Sequence, residues 1–183
     1  MLARMVATGA IDNLHDAPLN CFAVYASALS YDLAIAIEER GRCETVRCYG
    51  TMDYGGISMS TLDDPRDRRI KSVGKPFTDN DVKIIDQDGN SLPASVEGEV
   101  AIRPGRYSMG GYYRNPSLTA EAWSGDYYRL GDLAIMDGDG YITLVGRAQE
   151  LIIRGGQNIV PTEVEELVTA HEAVVDVAVI GVP

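Results

Sequence analysis

A chain of 183 residues, 45% hydrophobic and 23% charged, is long enough for one domain with a real core, or one domain and part of another. Its formal net charge of −11 excludes the basic footprint that nucleic acid or an anionic membrane surface requires. A few local cations and backbone amides could still hold a nucleotide, and no apolar run approaches the ~20 residues needed to span a bilayer.

In chain order, residues 1–20 do not make a signal peptide, because Arg4, Asp12 and Asp16 interrupt a short apolar stretch. Cys21, Cys43 and Cys48 show no metal-ligand spacing and read as reduced, mostly buried thiols of a cytoplasmic protein. His15 and His171 stand apart from any His/Cys/Asp cluster. Ser30 to Gly41 predicts a helix with Leu33, Ala34 and Ile37 inward and Gly41 as its stop, and TVRCY predicts a strand after it. From about Ser72 to Val145 the pattern turns to β. DVKIIDQDGNSLP is a strand entering an Asp-Gly turn, GEVAIRP is the next strand, and LAIMDGDGYITLVG is two strands around a Gly-Asp-Gly turn. SLTAEAW predicts a short helix after Pro116, capped by Ser117 or Asn115. PTEVEELVTAH predicts a helix with proline in its first turn and acids near its start, and AVVDVAVIGVP predicts an apolar strand.

The expected fold class is therefore mixed α/β: the end of an α/β layered domain, a small antiparallel β-barrel-like region, and the start of an α+β element. A flat apolar terminal strand is a poor edge for a complete protein, so the chain reads as cut from something longer at both ends.

Three stretches carry chemistry: YGTMDYGG (Tyr49 to Gly56), DYYRLGDLA (Asp126 to Ala134) and GRAQELIIRGGQNIVPTEVEE (Gly146 to Glu166). In order and spacing they resemble motifs of the adenylate-forming superfamily, which includes acyl-CoA synthetases, luciferases and the adenylation domains of peptide synthetases. KSVGKPFTDNDVKIID, EGEVAIRP and MGGYYRNPSLTAEAW add to the resemblance, which runs from roughly Ser27 to Pro183. It implies that residues 1–148 are the C-terminal part of a large adenylation domain, with 1–50 an α/β remnant and 51–148 mostly β. Residues 149–183 would begin a small C-terminal lid domain after a hinge at Gln149.

The resemblance also implies roles. Tyr49 would stack on adenine, while Gly50, Thr51 and Met52 pass the α-phosphate and Asp53 helps to hold Mg²⁺, a hard cation suited to an oxygen ligand. Asp132 would accept hydrogen bonds from both ribose hydroxyls, and Arg147 would reach the same ribose beside the hinge. Gly155 and Gly156 would be delivered to the active site when the lid turns. Read without the resemblance, Asp53 is a solvated turn acid, Asp132 a turn cap after Gly131, Arg147 a surface arginine at a strand end, and Gly155-Gly156 a hairpin turn. Three positions depart from the family pattern: Met52 stands where a hydroxyl residue precedes the acid, Asp53 stands where that acid is usually a glutamate one methylene longer, and Gln149 stands where the pivot is commonly Asp or Lys.

The implied activity is that of an ATP-dependent, AMP-forming acyl-CoA synthetase. It would use ATP, Mg²⁺ and coenzyme A on a medium-chain, alicyclic or aromatic carboxylate, as in fatty acid metabolism. The family's phosphate-cradling loop and its C-terminal lysine have no counterpart in this sequence, so the chain alone is expected to be inactive. Two alternatives stay open: a non-catalytic paralogue or half-enzyme that binds nucleotide or a partner chain, and an adenylation domain serving a carrier-protein thiol. The expected partner is a small-molecule carboxylate, with no nucleic acid and no integral membrane segment. A homo-oligomer, or association with the remaining part of the enzyme, is left open.

Overall fold

Serine 30 starts the first long helix by accepting the Leu33 amide on its hydroxyl, so the chain turns from extended to helical where the sequence places the cap. In the computed structural model, which describes residues 2–16, 19–26, 29–105, 108–154, 157–169, 171 and 173–182, the chain divides into two compact units. The first comprises Met1–Asn80, Gly105–Met109 and Gly138–Thr143; the second comprises Asp81–Pro104, Gly110–Asp137 and Leu144–Pro183.

The first unit opens with helix α1 (Leu2–Ala7) and a 3-10 segment (Ala10–Asp16), followed by β1 (Cys21–Tyr25), α2 (Tyr31–Gly41), β2 (Glu44–Thr51) and β3 (Gly55–Met59). Helix α3 (Arg66–Lys71) and the short β4 (Lys75–Pro76) complete it. Its sheet has the order β1-β2-β3-β4, with β1 and β2 parallel and the other pairs antiparallel. The parallel pair is joined through α2, the crossover such a pairing requires. Ala34 and Ile37 of α2 are buried with Ile11, Val24, Leu29, Cys43 and Ile70, while Leu33 packs at the margin of this core. The expected stop at Gly41 moves by one residue. Arg42 takes the left-handed conformation (φ 51°), while Gly41 ends the helix itself and sits buried close to Ile11.

Charge ties α2 and α3 to the sheet of this unit. Glu38 on α2 accepts hydrogen bonds from the Thr45 amide (2.8 Å), from Arg66 Nε (2.6 Å) and from Arg69 Nη2 (3.1 Å). Burial pushes the Glu38 carboxyl up, but the Thr45 amide and the two guanidiniums together hold it below the usual carboxylate range. Tyr141 is anchored in the same unit, donating its hydroxyl to Asp64 at 2.6 Å.

The second unit is built on an antiparallel sheet of β5 (Val82–Ile85), β6 (Glu97–Ile102), β7 (Trp123–Ser124) and β8 (Tyr127–Met136), together with β9 (Ile142–Arg147) from Leu144 onward. The order is β5-β6-β8-β7, and β9 also pairs with β8. This is the antiparallel region the turn signals predict. The Asp86–Gly89 turn follows β5, and Asn115 rather than Ser117 caps α4 (Pro116–Glu121), accepting the Leu118 amide at 3.0 Å.

After a 3-10 turn (Ala148–Glu150), β10 (Ile152–Arg154) and β11 (Gln157–Ile159) form an antiparallel hairpin, and α5 (Pro161–Thr169) starts on proline as expected. The apolar strand expected over AVVDVAVIGVP is not formed: residues 174–182 are irregular. Apolar patterning gives a strand only where a ladder partner accepts its backbone. Here the Val179 amide donates instead to the Glu165 carboxylate, at 2.8 Å.

Candidate functional site

Two groups of candidate residues lie in different units. In the first, Tyr49 is buried near the end of β2, opposite Ser58 on β3, and the register of this pair shifts between Tyr49 and Gly50. The bulge redirects the chain just where the motif begins. Gly50 is required for a local reason that the sequence does not reveal. A Cβ there would overlap the Gly55 carbonyl oxygen and come within 2.8 Å of the Tyr25 hydroxyl, so β2 and β3 approach too closely for a side chain.

The loop that follows is pinned by its backbone: the Met109 amide donates to the Asp53 carbonyl at 2.7 Å. Its next residue, Tyr54, is buried and donates its hydroxyl to Asn80 (3.2 Å), whose amide returns bonds to the Gly56 and Ile57 carbonyls. Asp53 itself is half-buried. Met52 is 100% exposed, so its thioether faces solvent. Thr51 Oγ1 is buried and has no hydrogen-bond partner among the described residues. Leaving such a hydroxyl unpaired costs about 1–3 kcal/mol, which an oxygen-rich ligand would recover.

In the second unit the structure brings Asp132 and Arg147 together. Asp132, on β8, is buried to 7% exposure, and Arg147 Nε at the end of β9 lies 3.1 Å from its Oδ1. The start of β8 is fixed by a second cluster. Tyr127 donates to Asp81 (2.7 Å), and Arg103 bonds both the Tyr127 hydroxyl (3.2 Å) and Asp81 (3.0 Å). The Tyr127 hydroxyl, with Arg103 beside it, holds the Asp81 carboxyl below its ordinary value. Tyr128 shares a 2.8 Å hydroxyl contact with Tyr112 and packs edge-on against Trp123.

Two side chains not singled out in the sequence belong to this group. Glu99 on β6 accepts Arg129 Nη1 at 2.7 Å and the Gly131 amide at 3.1 Å. The available signal was an acid inside GEVAIRP and an arginine inside YYRLGD, opposite charges on what prove to be adjacent strands.

Gln149 is exposed in the 3-10 turn directly after β9. Gly155 and Gly156 lie outside the described residues, between the paired Arg154 and Gln157. Among the described residues no group of three or more His, Cys, Asp or Glu could hold a metal ion, and no helix is long and apolar enough to cross a membrane.

Comparison with known proteins places these observations. Residues 1–113 match the family of AMP-binding enzymes, so the match begins upstream of Ser27 and includes the first twenty residues. The chain is 38% identical over 149 residues to the sulfoacetate–CoA ligase of Cupriavidus necator, covering 81% of this chain and 29% of that protein. It is 36% identical over 167 residues to pyochelin synthase PchD of Pseudomonas aeruginosa, covering 90% of this chain and 30% of that protein. The solved structure of O-succinylbenzoate coenzyme A synthetase from Bacillus subtilis, in complex with AMP, superposes with a TM-score of 0.84 at 25% identity, over 98% of this chain and 37% of that one. The chain thus spans under a third of the length of the two curated relatives.

Proposed function

This chain belongs to the family of AMP-binding enzymes, and on that premise we propose that it forms part of the nucleotide site of an ATP-dependent acid–thiol ligase. The observation that carries the reading is the buried Asp132 carboxylate with Arg147 Nε at 3.1 Å. A carboxylate offers two acceptor oxygens to a vicinal diol, and the adjacent guanidinium orients it. In this reading Asp132 binds the ribose hydroxyls, and Arg147 orients that carboxylate and reaches the same sugar. Tyr49 forms the wall against adenine, and the loop after Gly50 meets the α-phosphate.

Met52 turns its side chain to solvent, so the phosphate contact at this loop falls to the Thr51 hydroxyl and the backbone. Asp53 would supply the single chain carboxylate for Mg²⁺, with substrate phosphates completing the oxygen shell, as magnesium sites in nucleotide enzymes commonly do. When bound, that ion neutralises phosphate charge. The residues of this chain orient the nucleotide so that the substrate carboxylate can attack the α-phosphate and expel pyrophosphate. Coenzyme A is the acceptor favoured by the name of the Cupriavidus relative and by that of the Bacillus enzyme. Gln149 is then the pivot of a lid that begins at residue 149, and Gly155-Gly156 the segment brought to the acyl group.

Incubating the enzyme that carries this chain with ATP, Mg²⁺, coenzyme A and a panel of carboxylates tests this directly. AMP and an acyl-CoA are the expected products by mass spectrometry. A second reading, a nucleotide-binding half-enzyme without turnover, is favoured by Met52 and Gln149. It predicts ATP binding with neither product.

A further inference from the structure

We propose that Glu99 is a positioning residue that holds the bulge aiming Asp132 at its ligand. The proposal rests on the reading of Asp132 as the ribose-binding carboxylate. The β6–β8 ladder pairs Glu99 with Leu133 and Ala101 with Arg129. Between those pairs, Val100 alone on β6 faces Leu130, Gly131 and Asp132 on β8, so Asp132 lies in a bulge.

A bulge leaves backbone groups without ladder partners, and in a half-buried setting they need a substitute. Glu99 provides it: Oε1 accepts the Gly131 amide from inside the bulge, and Oε2 accepts Arg129 Nη1 from its N-terminal flank. Arg129 is itself fixed by donating Nη2 to the Gln87 carbonyl at 2.9 Å. The Glu99 and Arg129 side chains are only 17% and 21% exposed, so this pair is less screened than a surface ion pair.

Gly131 adopts φ +74°, a left-handed backbone that favours glycine. Its amide donates to Glu99, and the next residue is Asp132. Releasing the amide lets the peptide rotate and moves the Asp132 carboxylate relative to Arg147.

The test compares calorimetric binding of ATP and 2′,3′-dideoxy-ATP to the enzyme that carries this chain, in wild type, Asp132→Asn, Glu99→Ala, Glu99→Gln and the Asp132→Asn/Glu99→Ala double variant. Wild type is expected to prefer ATP by about tenfold or more, and Asp132→Asn to lose that preference. Glu99→Ala removes the acceptor of the Gly131 amide and should cut the preference by roughly threefold or more while leaving dideoxy-ATP affinity nearly unchanged, and the double variant should match Asp132→Asn. Glu99→Gln keeps a carbonyl for that amide and should retain more of the preference than Glu99→Ala. Glu99→Leu, which keeps the bulk without an acceptor, provides the readout if Glu99→Ala does not fold.

Equal weakening of both nucleotides by Glu99→Ala would mean a general structural role and would overturn the proposal. So would an intact ATP preference in Glu99→Ala or Glu99→Leu when Asp132→Asn has lost it; in that case the ribose reading stands. If wild type shows no preference, or Asp132→Asn keeps it, the ribose reading fails and the Glu99 role falls with it.

Discussion

Replacing Glu38 tests how the first unit holds α2, α3 and β2 together. Its side chain is 8% exposed and faces Arg69 at 5%, whose second partner is Glu44 at 2.7 Å. Removing one member of a buried pair costs about 3–5 kcal/mol when the other charge is left uncompensated. Glu44 still compensates Arg69 here, and a glutamine carbonyl can still accept the Thr45 amide, so Glu38→Gln should cost about 2–3 kcal/mol. Glu38→Ala also removes the acceptor for that amide and should cost about 1 kcal/mol more. The half-exposed Arg66 adds little, because solvent screens it.

The pH dependence has a definite sign. A carboxyl held below its unfolded value of 4.5 contributes stability that is fully present above that pH and lost as pH falls through the folded value. Urea unfolding of the 183-residue chain at pH 7 and across pH 5 to 3 reads both effects. Wild type should lose stability below about pH 4.5, and Glu38→Gln should start lower and show a shallower acid loss. A Glu38→Gln chain within about 0.5 kcal/mol of wild type at pH 7, with an unchanged acid limb, would refute the reasoning.

Three further outcomes follow from the same geometry. Gly50→Ala should destabilise the chain by about 1–3 kcal/mol in urea unfolding, because its Cβ meets strand backbone that has no room to yield. Tyr141→Phe should cost about 1–2 kcal/mol by removing the donor to Asp64, and hydrogen exchange should show faster exchange at the neighbouring Ile142 and Val73 amides. Asp132→Ala in the enzyme that carries this chain should weaken ATP binding about tenfold or more by calorimetry, as expected for loss of a charge-assisted hydrogen bond.

Much of this architecture is legible in the sequence because local signals and tertiary packing agree. Ser30, Asn115 and Pro161 start helices for reasons contained within one turn, and the Asp-Gly and Gly-Asp-Gly turns separate strands that do pair. The misses are non-local. Residues 174–182 have strand composition, but composition cannot supply a neighbouring ladder. The helical stop falls on Arg42 because Gly41 is used for packing against Ile11.

The site shows the same division. Asp132 and Arg147 stand out within motifs, and the structure puts them 3.1 Å apart. Gly50 looks like a ligand-facing glycine, but the strand approach at Gly55 already requires it. Glu99 could not be chosen from GEVAIRP alone, because its importance depends on a register 30 residues away in sequence.

The most direct test of the central claim is pyrophosphate release from ATP and Mg²⁺ by the enzyme that carries this chain, with and without each of a panel of carboxylates. Carboxylate-dependent release with at least one acid, strongly reduced in Asp132→Ala, is the expected result. A folded enzyme that binds ATP but releases no pyrophosphate with any acid would contradict the ligase account.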